Sequence, residues 1–472
     1  MRNMITSLLM TVLFCLPLQA AETEINLSGK WHGTLAVGGV KLRIGLEIVH
    51  DGSALSGNMY SFDQGSGPIA LEEVKYDGEL FSFQITRIKA SYTAEVNDSG
   101  NEMKGLFVQG LPVTLILKRV DEFPQPNRPQ EPQEPFPYDI IEVEYTNEES
   151  GGTIAGTLTL PAGRERAPVA LLITGSGSQD RDETILGHRP FWVIADHLTR
   201  GGIGVLRVDD RGVGGSSKVS SGDTTLELVT DVEAGVEFLR GHPRVDKRAV
   251  WLIGHSEGGM IAPMVAANDR RLAGIVCLAG PGVSGADILV EQNRLLRGAA
   301  GVDKKTLDWF MPLFKETIDL VLANPSDATD ATFIEKRKAL VAKHMKSAPV
   351  IGKLAAAQIN TEIEAIGKQL SNPWMRYFLS LDPVPAIQNT RCPVFAVFGE
   401  NDLQVPPKQS AGPFETALQF GKCRDYEVKI YAELNHLLQH SKTGAISEYG
   451  TIEETISPEV LHDVTEFMRS RL

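Results

Sequence analysis

The segment Val250-Trp251-Leu252-Ile253-Gly254-His255-Ser256-Glu257-Gly258-Gly259 constrains this chain more than any other stretch. An apolar run of strand character enters G-x-S-x-G, and an apolar helical pattern follows from Glu257 to Ala267. A turn this tight places the serine on strained backbone. Glycine has a physical role at 254 and 258, where a side chain would collide with the chain on either side.

Similar apolar runs occur at Ile140 to Tyr145, Ile154 to Leu160, Val169 to Thr174, Gly204 to Val208, Ile275 to Leu278, Val394 to Phe398 and Tyr426 to Tyr431. Most of the later runs alternate with helical patterns, at Phe191 to Thr199, Leu226 to Leu239, Pro413 to Phe420 and Pro458 to Arg469. Buried strands interleaved with helices predict an α/β domain, a mostly parallel sheet covered on both faces, over residues 139–472. From about 287 to 387 the alternation gives way to helical periodicity, including Trp309, Phe310, Leu313 and Phe314. This reads as a helical cap insertion whose apolar residues serve bundle core more than substrate wall.

Upstream, the 472-residue chain has a different character. Arg2, an apolar run from Ile5 to Leu18 and Ala20 before Glu22 form an export signal over residues 1–20, too short to span a bilayer. The processed protein is expected in the periplasm or outside the cell, and not as an integral membrane protein. Residues 21–120 alternate in short segments such as Lys41 to Ile48, Phe81 to Ile85 and Thr114 to Leu117, punctuated by Asp51-Gly52, Asp77-Gly78 and Ser99-Gly100. That is hairpin chemistry, predicting a small antiparallel barrel or sandwich with Trp31 plugging its core. Residues 121–138, with six prolines from Pro124 to Pro137, read as a stiff linker. A net charge of -14 with no basic run argues against nucleic acid as a partner. Cys277 reads as a buried hydrophobe, while Cys392 and Cys423 precede neighbouring strands, where export would permit a disulfide.

A serine hydroxyl needs a base to take its proton and a carboxylate to orient that base. Asp402 lies just past a strand in Phe398-Gly399-Glu400-Asn401-Asp402, with Glu400 as its rival; His436 follows the strand ending at Tyr431, with His440 as its rival. No H-E-x-x-H pattern accompanies the histidines, and neither metal nor cofactor is expected. Oxyanion donors are expected from the N–H of Glu257 and from the loop Gly175-Ser176-Gly177-Ser178, through Ser176 or its neighbour Gly177. Arg181 and Asp209-Asp210-Arg211 read as salt-bridged loop architecture, His255 as a packing or capping residue, and Glu257 as either solvent-facing or aimed at a substrate amine.

Together, Thr174-Gly175-Ser176-Gly177, Asp209-Asp210-Arg211-Gly212-Val213-Gly214, Gly254-His255-Ser256-Glu257-Gly258-Gly259, Asn372-Pro373-Trp374 before Asp382-Pro383, Gly399-Glu400-Asn401-Asp402 and Asn435-His436 carry a resemblance. Residues 139–472 resemble the α/β-hydrolase superfamily, near exported bacterial esterases related to serine aminopeptidases and dienelactone hydrolases. Thr174 stands where the common form has histidine. The resemblance implies a metal-independent serine carboxylesterase whose substrate is a small acyl ester of short chain. An aminopeptidase or amidase using the same triad, and an envelope- or ligand-binding role for the β-domain, are the alternatives.

Overall fold

A computed structural model describes residues 25–37, 40–52, 54–62, 66–124, 127–219, 223–324, 331–349 and 356–472. The expected export signal lies outside them. Described residues up to Pro124 form one unit and those after it a second.

In the first unit, short strands alternate inward and outward along a meander: β1 Gly29–Val37, β2 Val40–His50, β3 Leu55–Ser61, β4 Ser66–Ala70, β5 Glu72–Tyr76, β6 Leu80–Ile85, β7 Ala90–Val96, β8 Glu102–Gln109 and β9 Leu111–Val120. The spatial order is β4-β3-β2-β1-β9-β8-β7-β6-β5. Only Leu71 separates β4 from β5, and its N–H donates to the Gly57 carbonyl at 2.9 Å. One bent segment thus pairs with β3 on one side and β6 on the other, closing the sheet. Gly52 and Gly78 turn their hairpins at φ of 93° and 102°, a region side chains disfavour. Trp31, Leu46, Phe81, Phe83, Tyr92 and Leu117 fill the interior. The Trp31 indole N–H is satisfied by the Leu27 carbonyl at 3.0 Å, as a core plug requires.

The second unit holds β10 Tyr138–Asn147, β11 Gly152–Pro161, β12 Ala167–Ile173, β13 Gly204–Val208, β14 Val245–His255, β15 Gly274–Leu278, β16 Val394–Gly399 and β17 Tyr426–Tyr431. Their order is β10-β11-β13-β12-β14-β15-β16-β17, antiparallel at the β10 end and parallel from β13 onward. Successive parallel strands need crossovers, which are supplied by α1 Pro190–Arg200, α2 Thr225–Gly241 and α3 Gly258–Asn268. α2 starts with a capping box between Thr224 and Glu227. Between β15 and β16 the cap runs through α4 Gly285–Ala299, α5 Lys304–Ala323, α6 Ala331–Met345, α7 Ala356–Leu370, α8 Pro373–Ser380 and α9 Val384–Asn389. Trp309, Phe310, Leu313 and Phe314 of α5 pack into the core of that cap. After β16 come α10 Pro407–Gln419, α11 Ile446–Tyr449 and α12 Pro458–Arg469.

One expected helix boundary is corrected. The helix expected from Pro413 begins at Pro407, because proline is well tolerated at the first helical position, and Pro413 sits inside it. The proline-rich stretch, read as a stiff linker, is hydrogen-bonded at Arg128 and Gln130. Arg128 donates to the carbonyls of Leu186, Gly187, Gly450 and Ile452, and Gln130 to that of Ile456, tying it onto the second unit. Cys392 and Cys423 are free thiols. The Cys423 thiol turns toward the carbonyls of Cys392 and Asp425, each at 3.2 Å, and burial pushes the Cys392 thiol up to about 12.

Alkylation of the denatured protein without reductant is therefore expected to modify both Cys392 and Cys423; a peptide pair still crosslinked would contradict the free-thiol geometry. Trp31→Ala should cost about 3–5 kcal/mol in the unfolding of the β-domain, read by urea titration.

Candidate active site

β14 ends at His255, and Ser256 follows at φ 53°, a left-handed conformation that costs about 1–3 kcal/mol for a residue with a side chain. The surroundings hold it there. Ser256 N–H donates to the Leu278 carbonyl at 2.8 Å. A Cβ on Gly254 would stand 2.0 Å from the Gly258 carbonyl oxygen, and one on Gly258 would stand 2.2 Å from that of Ile173. The strand, the turn and the neighbouring strand thus touch backbone to backbone.

Two more loops arrive at the same edge from β16 and β17. Gly399 lets them meet, since a Cβ there would lie 2.3 Å from the Leu434 carbonyl oxygen. Asp402 is buried, and its Oδ1 accepts the N–H groups of Gln404 at 2.7 Å and Val405 at 2.9 Å. Its Oδ2 is left for His436 Nδ1 at 2.8 Å. With Nδ1–H donated to a carboxylate, Nε2 of His436 is the basic nitrogen. The rivals are placed elsewhere. Glu400 accepts the Glu433 N–H, and the exposed His440 pairs with Glu454 at 2.8 Å.

Ser256 and His436 line one cavity of about 250 Å³, whose other walls include Ile288, Leu289, Met375, Phe378, Val405 and Leu437. Its cap walls therefore come from α4 and α8, not from the apolar face of α5. The expected oxyanion loop is there too: Gly175 and Ser176 line the cavity with Glu257. Gly175 N–H is consumed by Glu183 Oε1 at 2.8 Å, whereas among the described residues no acceptor meets the N–H of Ser176, Gly177 or Glu257. A second cavity of about 470 Å³, lined by Gly177, Ser178, Asp210, Arg211, Lys218 and Asn372, shares Trp374 with the first.

Several side chains take roles that composition could not show. Glu257 does not face solvent: its carboxylate accepts from the Thr225 hydroxyl at 2.6 Å and the Trp374 indole at 3.0 Å. Burial raises it above the ordinary glutamate value. His255 does more than pack, since its ring bridges Glu183 and the main chain of His436. Glu183 is buried at a positive φ of 52°, eight residues beyond Gly175, with no spacing signal to mark it. Arg181 pairs with Asp209 at 2.8 Å and Glu142 at 2.6 Å, and Arg211 with Asp223 at 2.8 Å and Asp231 at 2.7 Å, the salt-bridged architecture expected. Asp210 accepts from Thr174 and Gln179, and burial pushes it up to about 7.

A doubly covered, mostly parallel sheet with a strained serine at a strand-to-helix turn defines a serine hydrolase of the α/β-hydrolase class. Residues 191–442 match the family described as serine aminopeptidase, S33, and the chain belongs to that family. It is also similar to esterase EstD of Thermotoga maritima, 31% identical over 180 residues, 37% of this chain and 42% of that protein. The chain thus matches less than half the length of that relative. Among solved structures it is similar to an esterase of Pyrococcus furiosus, at 15% identity over 74% of this chain and 99% of the other, with a TM-score of 0.44. The Est1E protein of Butyrivibrio proteoclasticus with bound ferulic acid is similar at 16% identity over 70% and 98% of the chains, with a TM-score of 0.42.

Gly258→Ala drives a methyl into the Ile173 carbonyl and should lower stability by about 3 kcal/mol or more. An unchanged urea midpoint would contradict the contact.

Proposed function

We propose that this chain is an exported carboxylesterase that cleaves short acyl esters through an acyl-enzyme on Ser256. The observation that carries the proposal is the buried Asp402–His436 hydrogen bond beside a cavity that Ser256 also lines. In this reading Ser256 Oγ attacks the acyl carbonyl, His436 Nε2 takes its proton and returns it to the leaving alcohol, and Asp402 holds the imidazole in the tautomer that leaves Nε2 free. Water then repeats the sequence to release the acid. The N–H groups of Glu257 and of Ser176, or of its neighbour Gly177, receive the developing oxyanion, each worth about 3–4 kcal/mol of barrier.

A cavity of about 250 Å³ closed by Ile288, Leu289 and Phe378 suits a small apolar acyl group. The likeness to a protein named esterase supports ester over amide chemistry. The family description favours an aminopeptidase as the second reading. That reading needs a free carboxylate, from Glu257 or another acid, to hold a substrate amine, and the Glu257 carboxylate is already occupied by Thr225 and Trp374. We assign the protein to the periplasm or the exterior on the strength of residues 1–20. Among the described residues no helix is long and apolar enough to cross a membrane.

Turnover of p-nitrophenyl acetate and butyrate should exceed that of the decanoate and of aminoacyl p-nitroanilides, and persist in a metal chelator. Ser256→Ala should lower kcat by about 10⁴-fold or more, and Asp402→Asn by about 10⁴-fold. Faster cleavage of the aminoacyl amides would favour the aminopeptidase, and full turnover by Ser256→Ala would refute the mechanism.

A further inference from the structure

His255, the residue before Ser256, presents both ring nitrogens to acceptors. Nδ1 lies 2.9 Å from Glu183 Oε1, and Nε2 lies 2.9 Å from the carbonyl oxygen of His436. A neutral imidazole has one N–H and can satisfy one of these; the imidazolium satisfies both. The same Glu183 Oε1 accepts the N–H of Gly175 at 2.8 Å, and a Cβ on Gly175 would stand 3.1 Å from Ser256 Cβ. One carboxylate and one imidazole therefore link the start of the oxyanion loop to the main chain of the residue proposed as base.

We infer that Glu183 and His255 form a buried ion pair that positions both halves of the catalytic site, Glu183 setting the oxyanion loop and His255 the loop that carries His436. This inference rests on the roles proposed above for Ser256 and His436. Both are positioning residues, since each acts through another group: Glu183 through Gly175, and His255 through the His436 carbonyl.

The charges around His255 fit this assignment. Glu183 faces it from the loop after β12, the His436 ring lies 4.8 Å away on the loop after β17, and Asp402 acts on it from the loop after β16. Two carboxylates thus accompany two imidazoles, so the His436 ring can charge during turnover beside a cation already balanced. Burial is the largest single influence and opposes charge on His255, yet the Glu183 carboxylate, the His436 carbonyl and the Asp402 charge together hold the imidazole above its ordinary value. The sign follows: with the folded value raised, the support is complete below the ordinary histidine range and is lost as pH rises through the raised value. An alkaline limb in kcat is the consequence.

The test pairs ¹⁵N NMR of the imidazoles in the resting full-length protein with kinetics of a short acyl ester. The His255 signals are assigned by their loss in His255→Gln. Both His255 nitrogens are expected to be protonated at pH 7 in the wild type, and one of them to lose its proton in Glu183→Gln. The same variant should lower kcat about 10- to 100-fold with KM nearly unchanged, and move the alkaline limb of kcat to lower pH. A neutral His255 at pH 7 in the wild type would overturn the inference even if the variant failed to fold. So would a folded Glu183→Gln with wild-type kcat and an unmoved alkaline limb. The NMR measurement needs no substrate, so a protein that hydrolysed no ester yet showed a doubly protonated His255 would fail the esterase reading and still support the ion pair.

Discussion

The strained backbone at Ser256 is the constraint on which the rest of the catalytic unit depends. A residue with a side chain holds φ 53° only if its neighbours leave it no alternative. Here glycine contacts of the elbow with β12 and with its own helix remove the alternatives, and they require strands packed on both sides of β14. The cost is met by the sheet, whose central strands are buried along their whole lengths in β12, β15 and β16. The same sheet brings the Asp402 and His436 loops to one edge, because β15, β16 and β17 run parallel in succession from β14.

Position in this site is set by hydrogen bonds to groups that sequence spacing does not reveal. Asp402 is oriented by two backbone N–H groups, so its free oxygen is already aimed when His436 arrives. Glu257 ties the elbow to α8 of the cap through Trp374, so a residue that shapes the cavity is anchored to the residue beside Ser256. Trp374 also lines the larger neighbouring cavity, so one indole borders both.

Much of this was legible in the sequence, for physical reasons. Buried parallel strands are continuous apolar runs, so all eight strands of the sheet could be read from Ile140 to Tyr431 with shifts of only a few residues at their ends. The elbow was legible because glycine at 254 and 258 is a steric necessity. Asp402 and His436 were legible because each follows directly on a readable strand. Glu183 and the partners of His255 were not, since their meaning lies in contacts between loops far apart in the chain. The docking of the proline-rich stretch was equally hidden: its composition reports stiffness, while Arg128 finds its carbonyl acceptors only after the fold has gathered them.

The proposed acyl transfer passes through a covalent intermediate on Ser256. The most direct measurement is rapid acid quenching of the protein during turnover of p-nitrophenyl acetate, followed by peptide mapping by mass spectrometry. An acetyl adduct is expected on the peptide carrying Ser256, formed in the first turnover and lost on further incubation. Turnover with no adduct there, or with the acetyl group on another side chain, would contradict the proposal.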